Sequence, residues 1–587
     1  MLSTPHSPLY AWQGRPAWHM LDTHFGHGER FLAAWAAWQA DPQRCPWLQF
    51  TAVLPGALSP AEVQACHSEA SPAQAAALAQ RMDGLLPGVH RISFEQGRVM
   101  LTLWVGEVQP MLRQQNGVAD VVCLQADFAD DPHSIKALAR HCQRGTVLQV
   151  PALTDSLAKA LQTAGFVFQA PSDTPPTARF EPHWEPRQRA AVPAPVARAG
   201  SALVVGAGLA GAATAYSLAL RGWQVTVLAE GDSPADGASG LPAGLFCPHV
   251  SPDDSVLSRL SRSGVRMTLQ RLRDLCQEGE DWGHTGVLEH CADGGTGLPA
   301  HWTQGPGLTW SHAASSAQLQ TADLPEDTVA CWHAQAGWVQ PARLVRAQLA
   351  HANIQFQGQS HVARLQATEH GTWQALNAQG QLLAHADIAI LACGPATAAL
   401  LPEDAAWSLQ AIRGQITWGY HSMQNAYALP PFPVNGNGNL VTHIPLEQGQ
   451  AWVMGSTFER DVTQMPISAA DQAVAHAANH AKLATLLPES AAPLAPWFDP
   501  ADTRCQPTWG HVRCASHDRL PIAGPVSATA PGLWAHTALG ARGLTLSVLC
   551  GERIAAQVDG EPLPLDAKLA QHLGTERLGR QKLKATL

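Results

Sequence analysis

Charge is scarce in this sequence. Only 14% of its 587 residues are Asp, Glu, Lys or Arg, and just six are lysine. Hydrophobic residues reach 46%, so core-forming side chains are plentiful and a disordered chain is excluded. The composition also excludes collagen, coiled coil and a small disulfide scaffold. A basic excess is missing too. Thirty-seven Lys and Arg stand against 47 Asp and Glu, a net charge of −10, which excludes nucleic-acid binding through overall charge. Twelve cysteines are present, but no two are spaced C-x-x-C. A zinc ribbon is therefore not expected, and neither is any other metal; the cysteines read as reduced thiols of a cytoplasmic protein. No apolar run reaches the ~18 residues of a membrane span. Met1–Pro16 lacks the basic start and apolar stretch of a signal peptide. A cytoplasmic monomer with no membrane association is expected. No internal repeat at solenoid or propeller periods is visible.

What is present divides the chain. Residues 171–200 hold seven prolines and no apolar periodicity, the pattern of an extended linker. Before it, residues 1–170 alternate helical and strand-like runs. Glu29–Ala40 and Pro60–Met82 read as helices. Leu48–Val53, Arg91–Phe94, Val99–Val105, Val121–Leu124 and Thr146–Val150 read as strands. That order predicts an α/β sheet domain.

Residues 201–587 open on a sharper signal. An apolar strand, Ser201–Val205, runs into Gly206-Ala-Gly208-Leu-Ala-Gly211, then an Ala-rich helix, then a second strand, Gln224–Leu228. G-x-G-x-x-G is weak alone and strong inside such a βαβ unit. Gly206 allows the tight turn, Gly208 the approach of a pyrophosphate, and Gly211 close packing of helix on strand. The helix N-terminus offers N–H groups to phosphate. An acid should end the second strand to hold a ribose. Ala229 stands there, with Glu230 one residue later. Two later segments favour a flavin over a nicotinamide: the buried strand ending at Gly394, and Ala538-Leu-Gly540-Ala-Arg542-Gly543-Leu544-Thr545 leading into a long helix.

These pieces carry a resemblance. VVGAGLAG (204–211), GASGLPAGL (237–245), AGWVQP (336–341), RGQITW (413–418), VRCASHDRLPIAG (512–524) and LGARGL (539–544) resemble the D-amino-acid-oxidase and glycine-oxidase superfamily of FAD enzymes. With GEPLPLD (560–566), nearly the whole chain is similar to the family of bifunctional tRNA 5-methylaminomethyl-2-thiouridine biosynthesis proteins. The resemblance implies an N-terminal Rossmann-like methyltransferase-type domain. It also implies a C-terminal FAD-binding Rossmann-type domain interleaved with a mixed-sheet substrate domain. It implies FAD held by Gly206, Gly208, Gly211, Glu230, Ser239, Gly394, Gly540, Gly543 and Leu544. The implied reaction removes the carboxymethyl group of 5-carboxymethylaminomethyl-2-thiouridine in tRNA, leaving the 5-aminomethyl nucleoside, which the first domain then methylates with S-adenosylmethionine. Arg513 matches the carboxylate-binding arginine of the glycine-oxidase pattern, and Arg542 is the second candidate.

The first domain departs from the family. Its glycine motif, roughly E-T-G-F-G-T-G, here reads Asp22-Thr-His24-Phe-Gly26-His-Gly28; the ribose-binding acid becomes Leu54; and Gln125 replaces an Asp. Only Asp22, Gly26 and Gly28 remain of that site, so impaired S-adenosylmethionine binding and methylation are expected. For tRNA contact, Arg259, Arg262, Arg266 and Arg273 are spaced to share one helix face. Two other readings stay open: a small-molecule amino-acid oxidase, and a non-catalytic tRNA-binding scaffold.

Overall fold

The computed structural model describes residues 8–56, 58–67, 72–168, 175–185, 200–291, 294–303, 305–405, 407–423, 425 and 429–578. The chain forms two compact units, residues 1–199 with 555–570, and residues 200–554 with 571–587. All twelve cysteines are free thiols.

The first unit is built on one eight-stranded sheet, ordered β3-β4-β2-β1-β5-β6-β8-β7. Its strands are β1 (Ala17–Asp22), β2 (Trp47–Leu54), β3 (Gly88–Phe94), β4 (Val99–Val105), β5 (Ala119–Cys123), β6 (Cys142–Gln149), β7 (Phe166–Phe168) and β8 (Thr177–Phe180). The central pairs β4–β2, β2–β1, β1–β5 and β5–β6 are parallel, and both margins turn antiparallel. β4 is buried along its whole length and β2 nearly so, as strands covered on both faces must be. Helix α1 (Glu29–Ala40) occupies the expected range and packs Phe31 and Trp35 against Phe50 and Phe94. The Pro60–Met82 run forms two helices, Pro60–His67 and Pro72–Ala79. A proline suits the start of the second because the missing N–H is not needed there.

Two findings revise the expected organisation. Thr177–Phe180, inside the proline-rich stretch, is not linker but a sheet strand paired with β6 and β7. Phe166 and Phe180 meet across that pairing as tilted rings, their centroids 5.0 Å apart. The remainder of the expected linker, 186–199, lies outside the described residues. Residues 555–570 belong to the first unit. The buried Arg91 and Glu561 side chains pair at 3.0 Å, and Gln49 donates to the other Glu561 oxygen at 2.8 Å. Glu561→Ala leaves the Arg91 guanidinium without this partner, which costs about 3–5 kcal/mol. Urea unfolding of the first unit's transition is expected to shift by that amount, and an unchanged midpoint refutes the assignment.

The second unit holds a six-stranded sheet in the order 354–357, β10, β9, 388–391, 533–537, 522–525, where β9 is Ser201–Val205 and β10 Gln224–Leu228. All its pairs are parallel except the last. Helix α2 (Leu209–Ala219) crosses from β9 to β10 and is buried at every position. A nine-stranded mixed sheet, drawn from residues 287–516, forms the second layer, with Trp509–Ser516 antiparallel to Leu409–Tyr420. Among the described residues no helix is long and apolar enough to cross a membrane.

Candidate active site

The glycine-rich turn is shaped by backbone contact. Gly206 has φ +111°, and a Cβ there would lie 2.4 Å from the Ala392 carbonyl oxygen. A Cβ on Gly211 would lie 1.8 Å from the Gly206 oxygen. Any side chain at either position forces strand and helix apart. Gly208 caps α2 without a side-chain hydrogen bond. A Cβ on Gly208 would sit 2.9 Å from Ser239 Oγ, which accepts from the Leu209 N–H at 3.0 Å. Ser239 thus stands at the positive end of α2, beside the turn where a pyrophosphate fits.

Glu230 follows the end of β10, its side chain 82% exposed, with His361 3.5 Å away. Gly394 (φ +58°) turns the chain after the strand Ile388–Leu391, and its carbonyl accepts from Thr537 Oγ1 at 3.2 Å. Gly540 (φ +56°) donates its N–H to Cys514 O at 2.7 Å, and Ala515 bridges to Leu539. Gly543 opens the helix Gly543–Val558. Leu544 is buried against Gly244, where a Cβ would come within 2.8 Å of it. Two backbone-cradling glycines on one Rossmann turn and a second helix start fit FAD. Gly206, Gly208, Gly211 and Ser239 would hold its phosphates, and the Gly540–Leu544 turn would face its ring.

The Gly540–Cys514 bond sets two arginines on adjacent segments. Arg513 donates to Thr457 O at 2.9 Å and to Ser456 Oγ at 3.2 Å, and burial pushes its guanidinium down to about 10. Arg542 is half-buried. Burial, and then the nearby Arg519 charge, lower it, and among the described residues no side-chain hydrogen bond or ion pair engages its guanidinium.

A polar cluster without a sequence motif lies close by. Burial, then Arg542, lower His249, and Glu289 and His333 also act on it. His333 Nε2 stands 2.9 Å from Glu289 Oε2, and its Nδ1 2.8 Å from Ser311 Oγ. Burial works to raise Glu289, but hydrogen bonding and charge from His333 overcome it, leaving the carboxyl below its ordinary range. The Cys247 Sγ lies within 4.8 Å of ligating atoms of both, its thiol raised well above normal by burial. Both His333 nitrogens are already taken by protein partners, so the set is satisfied without a metal.

The predicted arginine stripe does not form as expected. The spacing holds on the helix Val256–Leu275, but the stripe borders the buried face. Arg262 turns inward, pairs through both nitrogens with Asp254 at 2.6 and 2.9 Å, and covers Trp302 at 4.9 Å. Arg259 and Arg273 are exposed, and Arg266 is half-buried.

The first unit's ligand site is altered in the same way its sequence is. Gly26 (φ +60°) and Gly28 (φ +100°) keep left-handed backbone, and His24 points outward. Arg30 pairs with Asp22 at 2.7 Å and reaches Leu124 O at 3.4 Å, spanning the carboxyl ends of β1 and β5. Burial raises Asp22 to about 6 against the pull of Arg30. Leu54 is buried at the end of β2. These residues do not fit S-adenosylmethionine, which needs an acceptor for its ribose and an open switch point.

Residues 201–557 match the DAO family, described as FAD dependent oxidoreductase. The tRNA 5-methylaminomethyl-2-thiouridine biosynthesis bifunctional protein MnmC of Delftia acidovorans is 52% identical, over 97% of this chain and 93% of that one. The protein of the same name from Paracidovorax citrulli is 49% identical, with the same coverage. Glycine oxidase from Geobacillus kaustophilus aligns at 19% identity and TM-score 0.49, over 63% of this chain and 97% of that structure.

Proposed function

Because this chain belongs to the family of bifunctional tRNA 5-methylaminomethyl-2-thiouridine biosynthesis proteins, and through residues 201–557 to the FAD-dependent oxidoreductases, we propose that it modifies the wobble uridine of tRNA by amine oxidation. Its substrate is 5-carboxymethylaminomethyl-2-thiouridine and its product the 5-aminomethyl nucleoside. FAD at this site would supply the two-electron acceptor for oxidation of the secondary amine to an imine, which water opens to the primary amine and glyoxylate. The chain's own residues supply position and charge. Arg542 takes the substrate carboxylate through its planar fork. Arg513, on the adjoining segment, adds a second positive charge. No base is assigned, since the amine needs only to be neutral.

The observation that carries this reading is Arg542, a half-buried cation with no side-chain partner among the described residues, on the turn that begins the second helix of the FAD cradle. Such a charge is costly unless an anion completes it. The first unit does not complete the second step. It keeps the methyltransferase-type sheet and lacks the acceptor groups for S-adenosylmethionine. A tRNA substrate places the protein's work in the cytoplasm.

The test incubates the flavin-loaded chain with carboxymethylaminomethyl-modified tRNA and oxygen, then digests and weighs the wobble nucleoside. The aminomethyl nucleoside with stoichiometric glyoxylate is expected. An unchanged nucleoside from folded, yellow protein overturns the tRNA reading in favour of a small-molecule oxidase.

A further inference from the structure

Phe458 has no role in the chemistry above, and its environment is unusual. Its ring is 57% exposed, just beyond the strand Gly449–Gly455. The Arg513 guanidinium carbon lies 4.5 Å from the ring centroid and Lys482 Nζ 5.5 Å from it. Neither cation has a carboxylate partner among the described residues. Lys482 donates to Ser456 O, and Arg513 to Ser456 Oγ and Thr457 O. The two acids nearby, Glu459 and Asp471, are both held by Arg413. Gln415 and Thr457 further occupy Glu459. Phe458 is therefore an exposed ring with two cations over it that no carboxylate among the described residues offsets.

That combination selects a ligand class. A small anion needs no ring. A protein partner docking through Phe458 would desolvate two unpaired cations, which costs several kcal/mol per ion. An unstacked nucleobase satisfies both features, its face on the ring and its phosphate at the cations. Cations over a ring face are themselves held there by the ring's quadrupole, which keeps the positive charge beside the platform.

We propose that Phe458, flanked by Arg513 and Lys482, is a stacking platform for a splayed nucleotide of the tRNA anticodon loop. The platform deepens the tRNA reading and rests on it. It also relocates the RNA-binding charge, from the helix Val256–Leu275 to the segment beside Arg513. Arg513 then serves both surfaces, backing the ring and adding charge toward the substrate carboxylate.

The test measures tRNA binding by the flavin-loaded full chain, separately from turnover. Phe458→Ala is expected to weaken binding roughly 5- to 150-fold, and Phe458→Trp to restore it. Lys482→Gln is expected to reduce the slope of log affinity against log salt by about 0.7. Flavin content and absorbance verify that each variant is folded. Binding indifferent to Phe458→Ala, or equal loss in the Trp variant, overturns the platform, as does absence of binding by the unmodified chain. Binding that depends on Phe458 without oxidation of the wobble nucleoside refutes the reaction and spares the platform. Oxidation with Phe458-independent binding does the reverse.

Discussion

Replacing Arg542 with methionine is expected to lower kcat/KM for amine oxidation by roughly 30-fold to several thousand-fold, while FAD remains bound. The magnitude follows from what a carboxylate loses when its buried cationic partner is truncated, about 2–5 kcal/mol. Arg542 is suited to that assignment because the protein itself asks nothing of its guanidinium. Among the described residues no carboxylate or carbonyl accepts from it, and the nearby Arg519 charge disfavours its own. The same fact separates function from folding. Removing a half-buried charge that has no partner relieves desolvation and leaves no orphan behind. The methionine variant should therefore unfold at a temperature equal to or above that of the starting protein. Lysine at 542 keeps the charge and loses the fork, so it should retain an intermediate rate. Steady-state kinetics on modified tRNA, with flavin content and thermal midpoint measured on the same samples, decide it. Unaltered kcat/KM in the methionine variant removes Arg542 from the site. A fall in rate that tracks lost flavin assigns it to cofactor retention instead.

How much of this could be read beforehand depends on the range of the interactions. The turn at Gly206–Gly211 is local. A strand, three glycines and a helix follow one another within a few residues, so pattern and geometry coincide. Helix α1 was legible for the same reason. Thr177–Phe180 was not, because prolines at 175, 176 and 182 mask a strand whose pairing with β6 is decided by tertiary contact. The arginine stripe had the right helical spacing, yet spacing gives only relative direction. Which side of the helix is buried depended on where Leu260, Val265 and Leu272 found their core, and Arg262 sits on that border. The Cys247–Glu289–His333 cluster had no signal at all. Val287 pairs with His333 across antiparallel strands, which puts Glu289 and His333 diagonally on one face, and only the register reveals it. Phe458 was hidden likewise, since Lys482 and Arg513 come to it from a helix and a distant strand.

With S-adenosylmethionine supplied alongside oxygen, the wobble nucleoside is expected to stop at aminomethyl, giving no methylaminomethyl product. The sheet order explains why one small set of residues decides this. From β1 the chain moves to β2 on one side and later to β5 on the other, so a ligand belongs at the carboxyl ends of β1 and β5. Arg30 lies across that point, held by Asp22 Oδ1 and Leu124 O. A cation there opposes a sulfonium ligand, and it occupies the carboxylate that a ribose or amino group would use. Leu54, at the end of β2, offers no acceptor. Loss of one feature leaves binding weakened; the two together remove the charge pairing and the ribose contact. Calorimetry should detect no heat of S-adenosylmethionine binding to the intact chain. Restoring His24→Gly and Leu54→Glu with Arg30→Ala should bring binding back in part, because Gly26 and Gly28 still hold the left-handed turn. A methylaminomethyl nucleoside from the unmodified chain would show that Arg30 swings aside on binding, and that the first unit is a working methyltransferase.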